Sequence, residues 1–157
     1  QKRMIAEIKP SKGRGIMEAP PSKSMAHRSL ICGSFSSGSK ISGVHISKDV
    51  QATLECLEGL GASVKIDGSE ISIGGLDVTK TPSQKSIFAN ESGSTLRFMI
   101  PLALLCGERV EFCGKERLFA RPLGVYEDIA QKYGFEFPKV DRRQKVRLYE
   151  GIGTYWT

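Results

Sequence analysis

In the stretch PPSKSMAHRSL, residues 20–30, a lysine and an arginine follow two prolines, with a serine between them. These residue types suit the binding of an anion. Pro20 and Pro21 hold the backbone extended before a helix, Ser22 is the natural N-cap, and the helix should begin at Lys23. Its first turn then carries unpaired N–H groups and a partial positive charge. Lys23 and Arg28 add two full charges there, and Ser24 adds a hydroxyl donor. Ser24 and Arg28 share a helix face, while the long stem of Lys23 swings in from the mouth. The plainer reading, a solvated and conveniently capped helix end, stays open for so short a motif.

A second helix start has similar chemistry. NESGSTLRFMIPLALL, residues 90–105, gathers Ser92, Gly93, Ser94 and Thr95, with Arg97 in the next turn. Having no Cβ, Gly93 lets a ligand approach the backbone. Small and hydroxyl residues are also ordinary at helix starts, and Arg97 has the simpler alternative of bracing a nearby loop. Pro101 should kink or interrupt this helix. In LFARPLGVYEDI, Arg121 precedes a proline and is therefore expected in an extended loop ahead of a further helix. Alone it reads as a surface residue; with Lys23, Arg28 and Gly93 it completes a cluster for a compound of several negative charges.

These side chains need a frame. Residues 3–8 and 14–18 read as strands joined by the turn PSKGRG, followed by a helix over 23–36 and a strand over 40–45. Ser47 or Asp49 opens a second helix whose apolar positions Val50, Leu54, Leu57 and Leu60 recur at helical spacing, with Gly61 as its stop. ASVKI and EISIGG are strands around an Asp67-Gly68 turn. The order β-α-β-α-β-β then begins again: a strand over 86–89, a helix over 92–106, the strand RVEFCG, a helix over 123–133 and Gly134. Arg28 falls on Arg97 and Gly38 on Gly107, both 69 residues apart, and Gly61 on Gly134, 73 apart. Duplication is the better reading.

The chain has 157 residues, 39% of them hydrophobic, enough for one domain with a core. It shows neither a membrane-length apolar run nor a signal-like start, so a cytoplasmic setting is expected. Cys32, Cys56, Cys106 and Cys113 are irregularly spaced beside only two histidines, which predicts neither a metal site nor a disulfide framework. The net charge is +6, and residues 139–157 supply +3 of it through five basic and two acidic residues. With half the excess in a basic tail and no aromatic platform among basic residues, nucleic-acid binding is not expected.

PPSKSMAHRSLICG, NESGSTLRFMIPLAL and RPLGVYEDI, in that order and spacing, resemble the amino-terminal part of the 5-enolpyruvylshikimate-3-phosphate (EPSP) synthase family over residues 4 to 138. The resemblance implies transfer of an enolpyruvyl group from phosphoenolpyruvate to shikimate 3-phosphate, with release of phosphate and without metal or organic cofactor. It implies an inside-out α/β (α+β) barrel of two lobes, each of three β-α-β-α-β-β units, incomplete in this chain. Residues 1–20 would be a strand segment of the other lobe, 21–138 about two units of the first, and 139–157 a divergent basic tail. Lys23 would lie near both substrates, and Ser24 and Arg28 would hold the shikimate carboxylate. Gly93 would line the phosphoenolpyruvate pocket, where glyphosate competes, and Arg121 would clamp that anion. Glu91, Ser94 and Arg97 would form the surroundings.

This chain departs from the family pattern where Glu91 replaces a common asparagine; an acid there needs a neighbouring cation or a proton. The acid/base residues of the family belong to a second half, so this chain is expected to bind substrates without turning them over. Two units of a three-unit lobe would leave apolar faces exposed and open to association. The alternatives are the sister transferase acting on UDP-N-acetylglucosamine, which would show Lys-Asn in place of Lys23-Ser24, a non-catalytic anion-binding module, and a nucleic-acid binder using the tail.

Overall fold

Three serines start three helices. The structure, a computed structural model, describes residues 6, 7, 9, 10, 12–106, 108–134, 137 and 145–148. The side chain of Ser22 accepts from Met25 N at 3.3 Å to open α1 (Lys23–Ser34). Ser47 does the same for Val50 N at 3.4 Å, opening α2 (Lys48–Leu60), and Ser92 for Thr95 N at 3.3 Å, opening α3 (Gly93–Leu105). Each takes up an amide that the helix itself leaves unpaired. Gly61 and Gly134 end α2 and the later α5 (Gly124–Tyr133) in the left-handed region, at φ 115° and 75°, where a side chain would be strained.

Between α1 and α2 runs β1 (Ser39–Ser42), and after α2 come β2 (Ser63–Asp67) and β3 (Glu70–Gly74). They form an antiparallel sheet in the order β1-β3-β2. Asp67 pairs with Glu70, so the turn residues are Gly68 and Ser69, one place later than expected, because Asp67 still belongs to the ladder. The second sheet has the order β4-β5-β6, with β4 (Ser86–Phe88) parallel to β5 (Val110–Cys113) and β6 (Lys145–Leu148) antiparallel to it. In β3, Ile71 and Ile73 are buried while Glu70 and Ser72 are half-exposed, the period-two pattern of a sheet with one face on the core.

Helices meet helices between the two sheets. α2 packs against α1 on one side and against α3 and β4 on the other. One continuous cluster joins the units: Leu30 of α1, Leu54, Leu57 and Leu60 of α2, Leu96, Met99 and Ile100 of α3, with Ile87 and Phe112 from the second sheet. Burying each of these aliphatic or aromatic side chains contributes about 1.5–3 kcal/mol against leaving it in water.

Several expectations need correction. Residues 14–18 form no strand, and Ile16 and Met17 are exposed; a strand needs a ladder partner, and the pairing recorded for β1 is with β3. Of residues 3–8, only Ala6 and Glu7 are described, neither in a strand, and the rest lie outside the described residues. Arg121 stands in a loop ahead of α5, as expected, and the loop is preceded by a four-residue helix, α4 (Glu116–Phe119), too short to show a period in the sequence. Lys145–Leu148, within the segment read as a basic tail, is an edge strand of the second sheet. The repeat itself is offset by one: caps Ser22 and Ser92 are 70 residues apart, not 69, which rotates Arg97 about 100° around its helix relative to Arg28. Gly107 lies outside the described residues.

Pro101 does not break α3. Lacking an N–H, it leaves the Arg97 carbonyl without its helical partner, and the Tyr126 hydroxyl of α5 donates to that oxygen at 2.7 Å. Burial pushes the Tyr126 hydroxyl up from its ordinary pKa, which keeps it protonated as a donor. Tyr126→Phe is therefore expected to cost about 1 kcal/mol in denaturant unfolding. In a Pro101→Ala background the cost should shrink, because alanine restores the missing amide.

Candidate functional site

Lys23, the first residue of α1, donates from Nζ to Asp49 Oδ2 of α2 at 2.6 Å. Both side chains are partly exposed, so the pair contributes little to stability on its own. Its consequence is positional, since it holds the ammonium where the mouths of α1 and α2 meet. The Asp49 carbonyl lies 3.2 Å from Thr95 Oγ1 of α3 and 3.4 Å from Thr53 Oγ1 of α2. Those two hydroxyls are 2.7 Å apart, and Thr95 Oγ1 also donates to Ser92 Oγ at 2.7 Å. Thr53 Oγ1 in turn meets His27 Nδ1 at 2.8 Å. A buried polar chain thus runs beneath the starts of three helices.

His27 is almost wholly enclosed, at 2% exposure. Burial holds its pKa below the ordinary 6.5; the charge of Lys23 acts in the same direction and Asp49 opposes it. Its Nε2 has no hydrogen-bond partner among the described residues.

At the mouth of α3 the expectation for Gly93 changes. A Cβ on Gly93 would collide with Arg121 Nη1 and stand 3.1 Å from its Cδ and Cζ. The glycine admits the guanidinium of Arg121, which lies against the start of α3. Arg97 reaches the same loop, donating from Nη2 to the Pro122 carbonyl at 3.4 Å. The plainer reading of Arg97, a brace, is what the geometry shows, and the loop it braces carries Arg121.

Glu91 has a neighbouring cation: Lys115 Nζ stands 3.9 Å from its carboxylate. The main chain ties the same two segments, with Lys115 N donating to Asn90 O at 2.8 Å. Asn90 is left-handed at φ 53°, a conformation asparagine tolerates better than most residues. Arg28 is exposed and runs along its own helix, Nη1 reaching Ser24 O at 3.5 Å. Ser24 and Ser94 are exposed as well.

The structure therefore links Lys23, through Asp49 and Thr95, to Gly93 and Arg121, with Arg97 behind them. Arg28 and Ser24 share the mouth of α1 but make no recorded contact with the α3 group. A groove of about 340 Å³ beside α1 is lined by Lys23, Met25, Ser29 and His45, and by none of Arg28, Gly93 or Arg121. Among the described residues there is no group of three His, Cys, Asp or Glu side chains able to hold a metal ion. No helix among them is long and apolar enough to cross a membrane. Cys56, its pKa pushed up to about 12 by burial, is a packed thiol.

Asp49, His27 and Thr53 did not stand out in the sequence as site residues, and Thr95 did so only as one of several small residues. A signal for both threonines was present. Thr53 falls in the stripe Val50, Leu54, Leu57, and Thr95 in the stripe Leu96, Met99, Ile100, so each is a hydroxyl on a buried helix face. Asp49 pairs across 26 residues and has no local signature.

Capped helices packed between two sheets, with cations at their starts, define an α/β protein. The chain belongs to the EPSP synthase family: the family model described as EPSP synthase (3-phosphoshikimate 1-carboxyvinyltransferase) matches residues 8–136. A protein of Clostridium perfringens (strain 13 / Type A) named 3-phosphoshikimate 1-carboxyvinyltransferase is 45% identical over 139 residues, covering 85% of this chain and 33% of the relative. One of the same name from Clostridium botulinum (strain Alaska E43 / Type E3) is 37% identical over 154 residues, covering 95% and 35%. An EPSP synthase structure from Acinetobacter baumannii superposes with a TM-score of 0.73 at 21% identity, over 87% of this chain and 32% of that one. That likeness establishes the inside-out α/β fold. The chain spans about a third of the length of the relatives it matches.

A pH dependence follows from His27. It is held neutral in the folded chain at a pH where the unfolded chain protonates it, so the unfolded state binds the extra proton. The contribution is full above 6.5 and is lost as pH falls from there through the lowered folded value. Melting temperature should drop across that window, and the slope there should flatten in His27→Gln.

Proposed function

We propose that this chain is the substrate-binding part of a cytoplasmic enzyme that transfers the enolpyruvyl group of phosphoenolpyruvate to the 5-hydroxyl of shikimate 3-phosphate. One observation carries the reading: Arg121 lies on Gly93 at the mouth of α3, and that mouth is tied through Thr95 and Asp49 to Lys23. Cations from two duplicated units thereby serve one anion-rich site.

In this reading Arg121 and the first amides of α3 take the anionic groups of phosphoenolpyruvate, and Lys23 stands between the two substrates. Ser24 and Arg28 take the shikimate carboxylate. Arg97 and Lys115 act indirectly, the first by holding the Arg121 loop and the second by neutralising Glu91. The 5-hydroxyl gives up its proton as its oxygen bonds to C2 of phosphoenolpyruvate, whose double-bond pair takes a proton at C3; the tetrahedral adduct then loses a proton from C3 as the C2–O bond to phosphate breaks and the C2–C3 double bond re-forms. Negative charge is crowded throughout, and fixed donors at helix mouths stabilise it without reorganising. The proton-moving groups are assigned to the part of the family fold beyond this chain. The stripe Val125, Ile129 and Tyr133 on α5, exposed at 68%, 37% and 63%, is the face such a part would cover.

Shikimate 3-phosphate is expected to raise the melting temperature of the chain and UDP-N-acetylglucosamine to leave it unchanged. The reverse result would assign the sister activity. Arg28→Ala should weaken shikimate 3-phosphate binding in calorimetry by about tenfold or more, the scale of a lost charged hydrogen bond. Gly93→Ala should weaken phosphoenolpyruvate about tenfold by displacing Arg121, with little loss of stability because a flexible side-chain end can yield. Phosphate release from both substrates by the 157-residue chain alone would contradict its assignment as the binding part.

A further inference from the structure

The buried chain of polar groups beneath the helix mouths has a direction. It contains one imidazole and three hydroxyls: His27, Thr53, Thr95 and Ser92. Each hydroxyl has one proton to give. If His27 carried its proton on Nε2, that N–H would be a buried donor without a partner, because Nε2 has none among the described residues. With the proton on Nδ1, the orphan is only a lone pair, and under-satisfied acceptors are tolerated better than orphaned donors. His27 Nδ1–H then donates to Thr53 at 2.8 Å, Thr53 to Thr95 at 2.7 Å and Thr95 to Ser92 at 2.7 Å, each a shorter contact than those of the two threonines with the Asp49 carbonyl at 3.4 and 3.2 Å. The lowered pKa of His27 agrees with a neutral ring.

We propose that His27, Thr53 and Thr95 are positioning residues of this site: with the imidazole proton on Nδ1, they form a one-directional hydrogen-bonded chain that fixes the mouth of α3, bearing Gly93 and Arg121, against the mouth of α1, bearing Lys23. The inference rests on the binding role given above and adds the parts that hold its two halves in register. None of the three touches substrate in this account. His27 is in α1, Thr53 in α2 and Thr95 in α3, so the chain crosses both helix interfaces at the level of the first turns. Ser92, the α3 cap next to Gly93, accepts from both Thr95 Oγ1 and Thr95 N. An apolar replacement at Thr53 leaves His27 Nδ1–H without its acceptor in a dry environment and removes the bond that Thr95 Oγ1 accepts, while Thr95 still donates to Ser92.

The test uses the 157-residue chain. Nitrogen-15 NMR of the two histidines, with His45→Gln to assign them, should show His27 protonated at Nδ1 and bare at Nε2. Thr53→Val should shift the Gly93 and Ser94 amide resonances without any ligand present. In calorimetry it should also weaken both phosphoenolpyruvate and shikimate 3-phosphate about tenfold, and Thr53→Ser should restore the affinity. A folded Thr53→Val with unshifted amides and unchanged affinity, or a proton on Nε2 of His27, overturns the proposal. Should Thr53→Val fail to fold, the tautomer of the unaltered chain decides it: a proton on Nδ1 of His27 supports the proposal and one on Nε2 overturns it. If the unaltered chain binds neither substrate, the binding role fails, while the tautomer and the amide shifts still judge the chain of hydrogen bonds.

Discussion

Two threonine hydroxyls, 2.7 Å apart and buried, join α2 to α3 near the starts of both helices. Apolar contacts glue α2 to α3 along their length, but packing of that kind tolerates small slides and rotations. A hydrogen bond between two enclosed hydroxyls does not, because breaking it takes one partner from each where water does not replace it. Thr53 and Thr95 each lie near a capped helix start, within its first turns. Their contact therefore sets how far apart those starts stand.

Charge is arranged around that contact with the same economy. Lys23 is held by Asp49, Glu91 stands near Lys115, and Arg121 lies over a residue with no side chain. These ionic pairs are partly exposed and so carry modest energies, yet each fixes the direction of a long side chain. Helix mouths add amides whose positions the caps Ser22 and Ser92 have already decided. Donors fixed by the fold before any ligand arrives are what a crowded anionic reaction requires.

Much of this was legible from the residues. Ser22, Ser47 and Ser92 each stand before an apolar period and were readable as starts, and Gly61 and Gly134 as stops, because caps are local chemistry. The opening strand at residues 14–18 did not form, since strand formation depends on a partner rather than on the segment itself. The one-residue offset between Arg28 and Arg97 was hidden because matching like residues outweighed matching caps. The partners Asp49 and His27 were not legible, as both depend on which helices meet. Thr53 and Thr95 were half visible, hydroxyls standing in apolar stripes. Reading Gly93 as space for a ligand missed that Arg121 fills it, a fact only the loop after α4 decides.

On the proposed reading, two helix mouths, one from each unit, answer to a shared set of anions. The direct measurement is a nitrogen-15 NMR titration of the chain with shikimate 3-phosphate and phosphoenolpyruvate together, following the amides of Lys23, Ser24, Gly93 and Ser94. The prediction is that all four move along one binding curve with a common midpoint. Movement at only one mouth, or at neither while the protein remains folded, would contradict it.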